Sequence, residues 1–209
     1  MKNPKQKTTN KLTRNPLSIS GGGFAYWLLI PLLAPFLLGG CLLKPWIPVS
    51  GEDYAVEDRY AVVSRDSLTV IARPQAYSGE ADVIADRYFT LWLRVRNDTS
   101  RPLNIPRESF SILAERKQFD PIPLQIVLGT VQTDLYLNSF DDPFTDDPFT
   151  TERAEKAREQ YLELAGSYFS FGTLLPGGVK EGWLFYDSRI DREKAITIDL
   201  LGVPVVFVR

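Results

Sequence analysis

From Tyr60 to the carboxyl end, apolar and polar positions alternate in short runs separated by turn formers. The clearest run is Phe89–Arg96, where Phe89, Leu91, Leu93 and Val95 alternate with Thr90, Trp92, Arg94 and Arg96. A period of two puts four large apolar groups on one face of a strand and an aromatic and basic set on the other. Asn97-Asp98-Thr99-Ser100-Arg101-Pro102 then supplies turn residues whose short side chains bond the local backbone. The same triplet fits a glycosylation acceptor, and the turn is the better reading. Further strands are expected at residues 67–73, 110–114, 122–128, 167–171, 182–186, 195–201 and 203–208. Short strands spaced by turns favour an antiparallel β-sandwich.

Residues 129–166 break this pattern. Asp141-Asp142-Pro143-Phe144-Thr145 is repeated at once as Asp146-Asp147-Pro148-Phe149-Thr150, and the stretch from Thr151 to Ala165 is rich in Glu, Ala, Lys and Arg. The latter predicts one helix: Thr150 or Thr151 caps it, Glu152 and Glu155 complement its dipole, and Ala154, Ala157, Tyr161, Leu164 and Ala165 lie near one face. Aspartates are hard ligands suited to calcium, but the order Asp-Asp-Pro-Phe-Thr lacks the alternating acids and central glycine of a calcium loop. The repeat reads instead as an acidic loop orienting Phe144 and Phe149, which either pin it to the core or offer an apolar patch to a partner. Trp92, with Arg94 and Arg96, is a second candidate for a partner surface. Trp183 or Tyr186 offers a similar stacking platform, unless these residues simply cover a sheet face.

The first 40 residues have a different grammar. Five bases and no acid precede a 15-residue apolar run, Phe24–Leu38, which contains Pro31 and Pro35. That is shorter than the ~20 residues a spanning helix needs and suits the core of a signal peptide. The run ends in Leu38-Gly39-Gly40-Cys41, and Cys41 is the only cysteine.

This tetrapeptide resembles the lipobox of bacterial lipoproteins. The resemblance implies a diacylglyceryl thioether on Cys41 and removal of residues 1–40 by a lipoprotein signal peptidase. Small residues at 39 and 40 suit a narrow protease cleft that must accept extended backbone. Leu42 stands where Asp would retain a lipoprotein in an inner membrane, so the expected location is the outer membrane, facing the periplasm. Residues 41–58, with Pro45, Pro48, Gly51 and several acids, are expected to form a tether. Its 17 residues after the cysteine would reach about 55 Å if extended.

Charge follows the same division. The 209 residues sum to −2, but residues 41–209 hold nineteen bases against 26 acids, a net −7. An acidic domain is not expected to bind nucleic acid, which depends on clustered Lys and Arg. With no histidine and one cysteine, Ser-His-Asp and Cys-His sites, imidazole metal ligands and intramolecular disulfides are excluded. No cofactor or metal is expected.

Over residues 88–201 the chain also resembles the immunoglobulin-like domains of bacterial surface lipoproteins. The residues concerned are Phe89–Thr99 with Pro102-Leu103, Phe110-Ser111-Ile112, Leu175-Pro176-Gly177-Gly178 and Gly182-Trp183-Leu184-Phe185. The resemblance implies an all-β, immunoglobulin-like antiparallel β-sandwich over residues 59–209 with one inserted α-helix, and no catalytic residue. The expected function is that of a non-enzymatic binding or adaptor module held to the membrane by lipid on Cys41, with an envelope protein as partner. The alternatives are a carboxylate-dependent hydrolase of envelope polymers and a structural stability factor.

Overall fold

Two antiparallel five-stranded sheets carry the fold in a computed structural model that describes residues 44–138 and 149–209. The strands, in chain order, are β1 (Ile47–Pro48), β2 (Ala55–Glu57), β3 (Tyr60–Arg65), β4 (Leu68–Pro74), β5 (Tyr88–Asn97), β6 (Leu103–Ile105), β7 (Ile112–Ala114), β8 (Lys117–Phe119), β9 (Gly172–Leu174), β10 (Val179–Asp187), β11 (Ala195–Leu200) and β12 (Val203–Val208). The first sheet runs β1-β12-β11-β7-β8 and the second β10-β5-β4-β3-β2, while β6 pairs with β9 separately. Among the described residues three α-helices join them: α1 (Asp82–Arg87), α2 (Leu124–Asn138) and α3 (Phe149–Ser167).

The alternation in β5 sets the layering. Phe89, Leu91, Leu93 and Val95 are at most 2% exposed and meet Ala61, Val63, Val70 and Ala72 of their own sheet. Across the gap lie Ile112, Ile196, Ile198, Val205 and Phe207 of the other sheet. Each such Leu or Phe stabilises the fold by about 1.5–3 kcal/mol on burial, so the two inner rows account for the sandwich. Tyr186, wholly buried on the inner side of β10, satisfies its hydroxyl by donating to the Phe110 carbonyl at 2.6 Å.

Asn97 ties the end of β5 to the return strand. It is fully buried, its Nδ2 donates to the carbonyls of Arg101 (2.8 Å) and Leu174 (3.0 Å), and its Oδ1 accepts from the amide and hydroxyl of Thr99. Its backbone bonds Gly177 and Gly178. The turn reading of Asn97-Asp98-Thr99 therefore holds, and the distant Pro-Gly-Gly segment is its structural partner.

Four expectations require correction. Residues 44–58 are not a free tether: Trp46 is 4% exposed, edge-on to Phe89 at 6.0 Å and under the Arg209 guanidinium at 4.4 Å. Around it, β1 pairs with β12 and β2 with β3. Ile122–Leu128 is not a strand, because α2 begins at Leu124 and buries Val127, Leu128 and Val131 at helical spacing; a short apolar run does not separate the two periods. Residues 167–171 form no strand either, since α3 runs to Ser167 and only Tyr168 bridges to Trp183. Finally, the described residues hold three α-helices where one is expected, and α2 starts five residues before the expected insertion.

Candidate functional site

The helices have a common task, to cover one half of the outer face of the second sheet. On that face β10 presents Trp183 and Phe185, and β5 presents Tyr88, Thr90 and Trp92. Trp183 is 8% exposed and Phe185 fully buried, because Ile84 of α1, Val127, Leu128 and Val131 of α2 and Leu164 of α3 close a second apolar core over them. Trp183 and Tyr186 are therefore not open platforms.

Polar groups lock this layer down. Tyr77 packs edge-on against Trp183 and Phe185, at 5.3 and 5.7 Å, and its hydroxyl donates to Glu163 Oε2 of α3 at 2.6 Å, with Ser167 Oγ 3.1 Å away. Burial first, and then the Glu163 carboxylate, push the Tyr77 phenol far above its ordinary range, so it holds its proton and serves as a donor. Tyr88 bonds Thr130 of α2 at 2.5 Å, Gln160 of α3 donates to the Glu80 carbonyl, and Tyr168 stacks on Phe185 with ring centres 6.0 Å apart. Where the chain leaving α3 crosses β10, Gly182 permits the approach: a Cβ there would lie 2.6 Å from the Ser167 carbonyl oxygen and 2.7 Å from the Phe169 nitrogen.

The other half of this outer face is open, and Trp92 stands at the boundary. Half-buried, it meets Tyr60 edge-on at 5.8 Å, and Arg73 lies 5.1 Å above the Tyr60 ring while donating to its hydroxyl. Beyond it Arg94 and Arg96 are exposed, facing Glu181 at 3.9 Å and Asp98 at 2.6 Å, beside the partly covered Val62 and Ile71. The face is thus aromatic and basic, as the alternation in β5 predicts. Leu38, Gly39, Gly40, Cys41 and Phe144 lie outside the described residues. Phe149 is the first residue of α3, and of the expected partner surface of Phe144, Phe149 and Trp92 only the Trp92 side chain lies among the described ones.

Sequence reasoning missed the exposed apolar residues of the helical layer, Ile126 on α2 and Leu162 on α3, each 58% exposed. Their signal was the helical spacing of α2 and the break in amphipathicity that Leu162 makes in a charged helix. It also missed an apolar cavity of about 220 Å³ between the sheets. Leu68 and Val70 from one sheet and Leu200, Leu201 and Val203 from the other line it, with Arg65 and Asp66 at the mouth. Leu201 holds a left-handed backbone (φ +56°), a conformation that bulky residues seldom adopt.

For chemistry, the described residues hold no group of three or more metal-ligating side chains. Glu115 and Glu193 share a polar cavity but lie within hydrogen-bond reach of each other, whereas the two carboxyl groups of a glycosidase stand about 5–9.5 Å apart. Among the described residues no helix is long and apolar enough to cross a membrane. No protein-family model, curated protein or solved structure matches the chain.

Proposed function

We propose that this chain is a lipid-anchored protein of the cell envelope that acts without catalysis, binding a partner protein through the outer side of its second sheet and helical layer. The observation that carries the reading is the order basic segment, apolar run and Leu38-Gly39-Gly40-Cys41, followed within three residues by a compact unit that begins at Lys44. Two or more acyl chains on Cys41 make attachment effectively stable. Leu42 in place of Asp directs the protein to the outer membrane, facing the periplasm.

The immunoglobulin-like kinship is part of the same proposal, and connectivity supports it. From β5 the chain passes to β7 in the other sheet, and from β10 to β11. β5 neighbours β10 while β7 neighbours β11, and β4 and β12 flank these pairs. The orders β4-β5-β10 and β7-β11-β12 reproduce A-B-E and C-F-G of an immunoglobulin sandwich, with α1 between A and B and with α2 and α3 filling the stretch before the E strand.

The partner surface joins Ile126, Leu162 and the Trp92 platform. Photocrosslinking in intact cells tests it. A crosslinking residue at Leu162 or Trp92 is expected to trap one envelope protein that the same residue at Glu108 does not. The same set of adducts from all three positions would count against a specific surface. Deleting the helical insertion is a poor test, because Leu164 closes the second core and its loss would unfold the layer.

A further inference from the structure

We infer that the end of the sandwich next to the anchor is a seat for anionic phospholipid headgroups. The inference rests on the lipid anchor at Cys41 and adds a second contact with the membrane. Only Leu42 and Leu43 separate Cys41 from Lys44, so at about 3.6 Å per residue the Lys44 Cα lies within about 11 Å of the lipidated residue. That upper bound is about one Debye length at physiological salt (about 8–10 Å), so charges at this end lie where the surface potential of the bilayer is attenuated by salt but still felt.

The ladders define which residues occupy that end. Ile47 pairs with Val208 and Val208 with Ala195, placing Lys44, Lys194 and Arg209 together. Leu113 pairs with Thr197 and Ala114 with Lys117, so the tight turn Glu115–Arg116 lies at the same end. The 3-10 turn Ser188–Arg192 follows β10 there, and Arg189 and Arg192 line a cavity of about 350 Å³ with Glu115, Lys117, Phe119 and Glu193.

The charge at this end opposes that of the whole. Arg189 pairs with Asp187 at 2.6 Å and Arg209 pairs with Asp191. Set these aside, and the first sheet and the 3-10 turn bring five exposed cations (Lys44, Arg116, Lys117, Arg192 and Lys194) together with Glu115 and Glu193, while the second sheet adds Glu57, Asp58 and Arg59 at the β2–β3 turn and Asp86 and Arg87 at the end of α1. An end of about +2 on a mature chain of −7 gives the domain an electrostatic orientation, with the cations drawn to an anionic leaflet and most of the acids turned away. The cavity's cations suit a phosphodiester, and Phe119, with Lys117 5.2 Å above its ring, gives the pocket an apolar floor.

The test uses the acylated protein extracted from membranes, with the lipid on Cys41 established by intact mass, and reconstituted into vesicles. One set is phosphatidylcholine alone and the other contains phosphatidylglycerol. Amine acetylation is read residue by residue. Lys117 and Lys194 are expected to react about fivefold more slowly in the anionic vesicles than in the neutral ones, and molar salt is expected to abolish the difference. Lys156, exposed on α3, is expected to react alike in both. The double variant Arg116→Glu with Arg192→Glu, both at exposed positions, is expected to lose the effect while staying membrane-bound. Equal rates in the two vesicles, or equal slowing at Lys156, would overturn the inference. An unacylated mass would instead overturn the anchor, and the seat with it.

Discussion

Replacing Trp46 by alanine separates a folded amino-terminal arm from a tether more cleanly than any other substitution. At 4% exposure nearly the whole indole is out of water. An aromatic of this size buries about 200 Å², which at about 25 cal/mol per Å² is about 5 kcal/mol. An already compact unfolded chain reduces this to about 3–4 kcal/mol. The cation–π contact with Arg209 at 4.4 Å adds about 0.5–2 kcal/mol. The expected loss is therefore about 4 kcal/mol, within the range for Trp→Ala in cores. Urea unfolding of the mature protein, followed by circular dichroism, measures it, and the midpoint temperature should fall by about 8–16 °C. Were residues 44–58 a solvated tether, the change would be below about 0.5 kcal/mol. A loss under about 1 kcal/mol, with an unchanged denaturant slope, would refute the packing described for Trp46.

The remaining predictions concern single devices in the fold. Asn97→Ala leaves the Leu174 carbonyl and the Thr99 amide without their partner and takes one of two donors from the Arg101 carbonyl, at an expected cost of about 3–5 kcal/mol by the same unfolding assay. Gly182→Ala must displace backbone at Ser167 and Phe169 and is expected to cost about 2–3 kcal/mol, read together with faster amide exchange at the end of α3. Ser67→Gly is expected to stabilise by about 0.5–1 kcal/mol, because Asp66 and Ser67 both hold positive φ in a two-residue hairpin where Asp-Gly is preferred, and calorimetry would show the gain. Arg189, through side-chain bonds first, holds the Asp187 carboxyl at about 2. A folded value below the unfolded ~3.9 means that the stabilisation is complete above that pH and is lost as pH falls towards 2. Because the pair is largely solvated, it amounts to less than about 1 kcal/mol, and Asp187→Asn should flatten stability between about pH 4 and 2 while leaving the rest of the profile unchanged.

Much of the sandwich was legible because β4, β5, β11 and β12 bury one face and alternate cleanly. β10 was found despite being buried on both faces, since its run of Trp, Leu, Phe and Tyr admits little else. The helical layer was half hidden. The charged face of α3 shows in the composition, but α2 is apolar on most sides and its opening residues fit either period. Nor does a sequence say which half of an outer sheet face a helix will cover, so Trp183 and Trp92, directly paired across β10 and β5, end with different fates. The arm at residues 44–58 misled because Pro, Gly and acids signal loops, and the one contrary sign was an isolated Trp46. For the candidate site, Trp92 was recoverable from alternation and Leu162 only once the buried face of α3 was known.

The intact mass of the protein purified from membranes tests the proposed lipid anchor most directly. The proposed anchor predicts a chain beginning at Cys41 whose mass exceeds that of residues 41–209 by a diacylglyceryl group, and a Cys41→Ser protein that keeps its first 40 residues. A full-length chain without added lipid, or a Cys41→Ser protein processed like the parent, would contradict it.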